Sequence, residues 1–304
     1  MSPDQPRHRR IYDSAPWTAP LLMKAALPAV PGLGRLPVIR REGGQTPDLA
    51  LERPGVEVDL DHLAAYADTC HFALSDVLPV TYPHLPAFPL QLALMTDARF
   101  PFPPIGTAHV TNSITQRRPL HVEERLDLAV HAAGLRAHPK GRLVDIVTTA
   151  TVDDELVWQE TTTVLRRGRA DPDATDPLPL RDLDPPFGPT RWLLPAGLGR
   201  RYAAVSGDRN PIHLFSLTAK AFGFRRQIVH GMWTTARSLA ALQGRLPDAY
   251  TVEVSFRRPI LLPGSVRFGS VDDAGRLVFG VTGACRRVAS RGRCRDPSLM
   301  IRLG

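Results

Sequence analysis

The run "GMWTTARSLAALQGRLPDAYTVEVSFRRPILLPGSVRFGSVDDAGRLVFGVT", Gly231 to Thr282, changes its periodicity once, and that change decides the fold class. From Met232 to Gln243 apolar residues occupy several faces and no acidic residue appears, the pattern of a buried rather than a surface helix. After Tyr250 the pattern alternates: Val252, Val254 and Phe256 first, then runs over Ser265–Asp273 and Arg276–Thr282. A buried helix followed by antiparallel strands predicts an α+β unit whose sheet curls round the helix.

The chain states this pattern twice. Upstream, "AAYADTCHF" leads through a segment ending "QLALM" to "NSITQRRPLHVEERLDLAV"; downstream, "RRYAAVSGD" leads through "GMWTTARSLAAL" to "VEVSFRRPILLPGSVRFGSV". Tyr66 matches Tyr202, and Arg117-Arg118-Pro119 matches Arg257-Arg258-Pro259. Four upstream strands are expected at His109–Arg118, Glu124–Leu135, Arg142–Val152 and Glu155–Leu165. The segment 169–195 holds seven prolines and little periodic apolar content, so it reads as a linker between residues 1–168 and 196–304. The counterpart of the last upstream strand is weak: after the arginine-rich "CRRVASRGRCRDPS", only Leu299, Ile301 and Leu303 alternate. Either a loop precedes a short closing strand, or residues 283–304 depart from the pattern.

Composition narrows the function. A 304-residue chain that is 43% hydrophobic can bury a sizeable core. Its apolar runs are broken by Pro, Gly or Arg well short of the roughly 20 residues a membrane helix needs. No apolar core of a signal peptide follows Arg9-Arg10, so the expected compartment is the cytoplasm. Cys70, Cys285 and Cys294 have neither zinc-like nor redox spacing. A net charge of +8 would suit nucleic acid, yet only Lys24, Lys140 and Lys220 are lysines and neither a nucleic-acid motif nor an aromatic stacking set is present. An anionic small ligand such as coenzyme A, or an acidic carrier protein, fits the same field.

The chemistry points to "YAAVSGDRNPIH", Tyr202 to His213. Gly207 permits a tight turn and Pro211 turns Asn210 away from helical geometry, so Asp208 to Pro211 is expected as a shaped loop that keeps both Asp208 and His213 off a helix. Such a loop can aim Asp208 and His213 at one water, a carboxyl and an imidazole sharing its protons. Asn210, which both donates and accepts, can brace loop or water. Further on, "QIVHGMW" puts His230 and Gly231 at the start of the buried helix, where backbone N–H groups lack intrahelical partners at the positive end of the dipole. The missing side chain at Gly231 would let a ligand carbonyl approach, as in an oxyanion site. Base, acid and oxyanion donor together describe enolate chemistry on a thioester.

"YAAVSGDRNPIH", Ala219, Phe222-Gly223-Phe224 and "IVHGM" resemble the (R)-specific enoyl-CoA hydratase signature of the MaoC-like hotdog family. "VLPVTYPHLPAFPLQLALM" and "IGTAHVTNSITQRRPL" look like the two-hotdog (R)-3-hydroxyacyl-thioester dehydratases, so the resemblance runs from about Leu21 to Gly280. It implies a double hotdog, with two helix-wrapped antiparallel sheets in one chain. It also implies reversible hydration of a trans-2-enoyl thioester of coenzyme A or acyl carrier protein, with neither metal nor redox cofactor. Asp208 and His213 would be the catalytic pair, Gly231 the oxyanion donor, and Asn210 and His230 the substrate-side support. The first half reads "YADTCHFALSDVLPVTYP" instead of the octet, so the resemblance implies a degenerate first half that leaves space for the acyl chain. Tyr82, in Thr81-Tyr82-Pro83, would then line the pocket or simply form the turn before a helix. Pairing of two hotdogs within one chain stands in for the usual homodimer, and a further homodimer is compatible with it.

Overall fold

The computed structural model describes residues 6–26, 45–168, 171, 173–174, 180, 186, 188–273, 276–283 and 297–303. Two compact units emerge, one of residues 1–63 and 75–177, the other of residues 64–74 and 178–304. The first unit contains β1 (His8–Ile11), α1 (Thr18–Ala26), β2 (Leu49–Val56), the start of α2 (Leu60–Cys70), α3 (His84–Thr96), β3 (Thr107–Gln116), β4 (Leu126–His138), β5 (Gly141–Val152) and β6 (Glu155–Arg167). Its strands are ordered β1-β2-β4-β5-β6-β3, antiparallel except for the β1–β2 pair.

The sequence explains this unit's core. Along β5 burial alternates almost residue by residue, so Val144, Ile146, Thr148, Ala150 and Val152 face inward. Helix α3, "HLPAFPLQLALMT", is apolar on nearly every side and buries Leu85, Ala87, Leu90, Leu92 and Leu94. Four ionisable or amide side chains, Glu160, His84, Gln91 and Asn112, nevertheless enter this interior. Glu160 of β6, fully buried, accepts from His84 Nδ1 at 2.8 Å, from Gln91 Nε2 at 3.1 Å and from Asn112 Nδ2 at 2.8 Å. Gln91 and Asn112 also donate to the hydroxyls of Thr148 and Thr162 at 3.0 and 3.1 Å. Burial alone would push the Glu160 carboxyl up, but His84, Asn112 and the nearby His109 outweigh it and hold the group below its ordinary range.

The second unit contains the rest of α2, then β7 (Thr190–Leu194), α4 (Leu198–Ser206), α5 (Pro211–Leu214), α6 (Ser216–Ala221), α7 (Gly231–Ala240), β8 (Tyr250–Phe256), β9 (Gly264–Asp273), β10 (Arg276–Gly283) and β11 (Pro297–Leu303). Its strand order is β8-β11-β10-β9-β7, all antiparallel. Helix α7 buries Met232, Trp233, Ala236 and Leu239, the helix expected from the sequence. Thr234, Thr235 and Ser238 sit on it at little cost because each hydroxyl donates to the carbonyl four residues back. The Trp233 indole N–H donates to Thr69 O at 2.9 Å, and Tyr66 packs its ring 6.4 Å from that of Tyr202.

Two expectations meet a different outcome, and a third point, left open by the sequence, is decided. Residues 64–74 segregate with the second unit, because Tyr66, Thr69 and Ala73 find their partners in Tyr202, Trp233 and Gln243. The end of the expected linker is strand β7, whose Trp192 stacks 4.8 Å from Phe268 under the Arg237 guanidinium; much of the remaining linker lies outside the described residues. The closing strand exists: β11 pairs with β8 on one side and β10 on the other, while residues 284–296, with Cys285 and Cys294, lie outside the described residues. Cys70 is buried. Among the described residues no helix is long and apolar enough to cross a membrane.

Candidate functional site

Helix α4 delivers the chain to the site. It ends at Gly207, whose left-handed φ of 73° reverses the backbone as the sequence predicted. A side chain on Gly199 would run into the His213 carbonyl, so this glycine lets α4 and α5 touch backbone to backbone. The proline works differently from the expectation. Pro211 does not keep His213 off a helix: it occupies the first position of α5, where its missing N–H costs nothing, and His213 rides on that short turn. Asn210 is the cap, its Oδ1 facing the Ile212 N–H at 3.5 Å. Asp208 lies just before, its own N–H on Ser206 Oγ at 3.2 Å and its Oδ1 accepting from the Asn210 N–H at 3.0 Å.

The structure brings Asp208, His213 and His230 together, each offering a ligating atom within 4.8 Å of the others. His213 Nδ1 donates to Ile228 O at 2.9 Å, which leaves the lone pair on Nε2. Ile228 is itself held by Ile212 O and by pairing with Leu261. His230 Nε2 donates to the Asp208 carbonyl at 3.0 Å, so its lone pair is on Nδ1, a buried nitrogen with no hydrogen-bond partner among the described residues. The two imidazoles stack with centroids 3.7 Å apart and planes 24° apart, and Tyr202 covers His230 at 4.9 Å.

Burial pushes both histidines down. For His213 the Asp208 charge and the Ile228 carbonyl oppose that push without reversing it. For His230 the neighbouring His213 adds to burial, and the ring is driven down to about 3. Both rings are therefore neutral near pH 7. In stacked, nearly parallel rings the in-plane lone pairs do not converge on one point about 2.0–2.1 Å away, as ligands of a zinc-like ion must.

Gly231 opens α7, and no side chain caps that helix start. A Cβ there would lie 2.8 Å from Phe256 Cε1, so the missing side chain at Gly231 makes room for this ring of β8. Gly231→Ala is expected to lower kcat by displacing that ring or the helix start. If Phe256→Leu restores kcat in the Gly231→Ala background, the ring is the cause; if not, direct contact with the ligand is.

Two residues that the resemblance put on the substrate side are buried. His230, at 3% exposure, braces the Asp208 loop and the His213 ring and is not open to a ligand's tail. Tyr82 belongs to the first unit, also 3% exposed, with its hydroxyl 3.0 Å from His62 Nδ1 and 3.5 Å from Asp59 O; this geometry favours the turn over pocket lining. The sequence reading missed Ser206, Ile228 and Phe256, whose parts are played by backbone groups or by contact across elements. It also missed the Glu160 cluster, though an acid on the same strand face as Trp158 and Thr162 was a visible signal.

A hotdog-type unit with a carboxylate and an imidazole poised before a central helix defines a class, and comparison with known proteins agrees. Residues 194–284 match the MaoC like domain. The chain is 39% identical over 235 residues to 3-hydroxyacyl-thioester dehydratase X of Mycobacterium tuberculosis (strain ATCC 25618 / H37Rv), covering 76% of this chain and 83% of that protein. It therefore belongs to the MaoC-like dehydratase family. The crystal structure of HtdX from M. tuberculosis superposes with a TM-score of 0.70 at 33% identity, covering 84% of this chain and 98% of that one. A double-hotdog protein of M. tuberculosis superposes with a TM-score of 0.53 at 16% identity, covering 82% and 92%, a likeness of fold alone.

Proposed function

We propose that the second unit catalyses reversible hydration of a trans-2-enoyl thioester to the (R)-3-hydroxyacyl thioester. The observation that carries this reading is the placement of Asp208 beside a neutral His213 whose Nε2 lone pair is fixed by the Ile228 carbonyl. In the dehydration direction, His213 Nε2 takes the C2 proton as the thioester carbonyl gains enolate character. The N–H groups at the start of α7, Gly231 first, face that developing charge. The C3–O bond breaks as the same proton passes to the departing hydroxyl, which Asp208 orients; syn geometry lets one base serve both carbons. Water leaves, and His213 returns to its starting form. Asn210 and His230 position the pair without touching the reacting atoms.

The named relatives support dehydratase chemistry on an acyl thioester. Hydrolysis is disfavoured because α7 bears no acidic residue. The first half lacks the octet, so one active site per chain is part of the proposal, as is a cytoplasmic setting.

A spectroscopic assay with trans-2-enoyl thioesters tests this, loss of enoyl absorbance with an (R)-product being the expected result. Release of free thiol instead would overturn it. The same assay reads pH. Because His213 is held below its ordinary value of 6.5, its neutral form persists to lower pH, and the acid limb of kcat/KM is expected below pH 6.5. A limb above that value would contradict His213 as the base.

A further inference from the structure

We propose that the exposed face formed by Phe215 and α6, beside the reacting pair, is the docking surface for an acidic carrier protein that delivers the thioester on its prosthetic arm; the proposal rests on the hydration reading above. Phe215 is 53% exposed and Leu217 80% exposed, two and four residues past His213. Large apolar side chains at the surface are common singly, but these two belong to a chain segment whose exposed charges are of one sign. From residue 196 to residue 230 the chain carries Arg200, Arg201, Arg209, Lys220, Arg225 and Arg226 against one acid, Asp208, which belongs to the reacting pair. All six cations are exposed, and Arg209, Lys220, Arg225 and Arg226 pair with no carboxylate among the described residues.

The face is also ordered in advance. Arg200 donates to Leu214 O at 3.0 Å and holds its guanidinium 5.1 Å from the Phe215 ring centroid, a cation–π contact that fixes the ring at the surface. Thr218 Oγ1 donates to Pro211 O at 2.6 Å and to Phe215 O at 2.9 Å, tying α6 to the turn that bears His213. A partner seated here is thereby registered against the base. Free coenzyme A presents its phosphates to a few cations and needs no protein-sized apolar contact. A folded acidic partner covers Phe215 and Leu217 and draws on the surrounding cations for steering.

Full-length protein decides between them. Hydration is followed with one trans-2-enoyl group carried on an acidic acyl carrier protein, on coenzyme A and on N-acetylcysteamine, for wild type, Arg225→Glu/Arg226→Glu and Leu217→Asp. All three positions are exposed, so the variants leave the core alone. We expect kcat/KM on the carrier-borne substrate to fall about tenfold or more, while the N-acetylcysteamine thioester is turned over within about twofold of wild type. An equal fall on coenzyme A, or no fall on the carrier, would overturn the docking face. Titration of the carrier protein itself, without an enoyl group, reads the surface independently of turnover: binding that weakens with salt in wild type and is lost in the variants is expected. Unaltered binding in the variants would sink the proposal, whereas failure of the wild type on the N-acetylcysteamine substrate would sink the reaction.

Discussion

Asp208→Asn is expected to lower kcat for hydration about 10²–10⁴-fold while leaving the unit folded, the range removed with a positioned acid–base group. Asparagine keeps an Oδ1 that can accept from the Asn210 N–H, so the loop retains its shape. The tie to His230 runs through the Asp208 backbone carbonyl and survives as well. What disappears is the charge beside His213, which orients the hydroxyl and stabilises the imidazolium that forms when the ring takes a proton. Circular dichroism would report an unchanged fold alongside the lost turnover. Near wild-type turnover would remove Asp208 from the mechanism.

The largest stability effect is expected in the first unit. Glu160→Gln leaves His84 facing an amide inside the core, and removing one partner of a buried pair costs about 3–5 kcal/mol. Thermal or urea unfolding of the variant measures it. Acid provides a second reading. The Glu160 carboxyl is held below its ordinary 4.5, so its stabilisation is present above that pH and lost as pH falls through the depressed folded value. The wild-type protein should therefore lose stability over this acidic window more steeply than Glu160→Gln. A variant as stable as wild type would mean that the carboxyl is not charged in the folded protein.

Where apolar periodicity carried the information, the sequence was legible. The strands at 107–116, 141–152, 250–256 and 264–273 fall within a few residues of the alternating runs, because burial alternates along much of each. Strands β1, β2 and β7 escaped the reading: β1 has four exposed residues, β2 runs into Pro54, and β7 is five residues at the edge of a proline-rich stretch. Such strands are defined by the ladder that receives them. At the site, the Asp208–His213 pair was legible from residue types and spacing. The role of Pro211 was misread because a proline that breaks one helix can equally begin the next. The Glu160 cluster joins residues up to 76 apart, His84 and Glu160, and nothing local links an acid in one strand to a histidine at a helix start.

The stacked histidines bear on timing. At 3.7 Å, two imidazoles with tautomers locked by separate backbone carbonyls cannot both hold a positive charge. A proton arriving on His213 finds no second resting place in the ring beneath it, and burial raises the cost of lingering. The pair therefore acts as a one-place relay, quick to accept from C2 and obliged to pass the proton on, which favours completing the elimination over storing the charge.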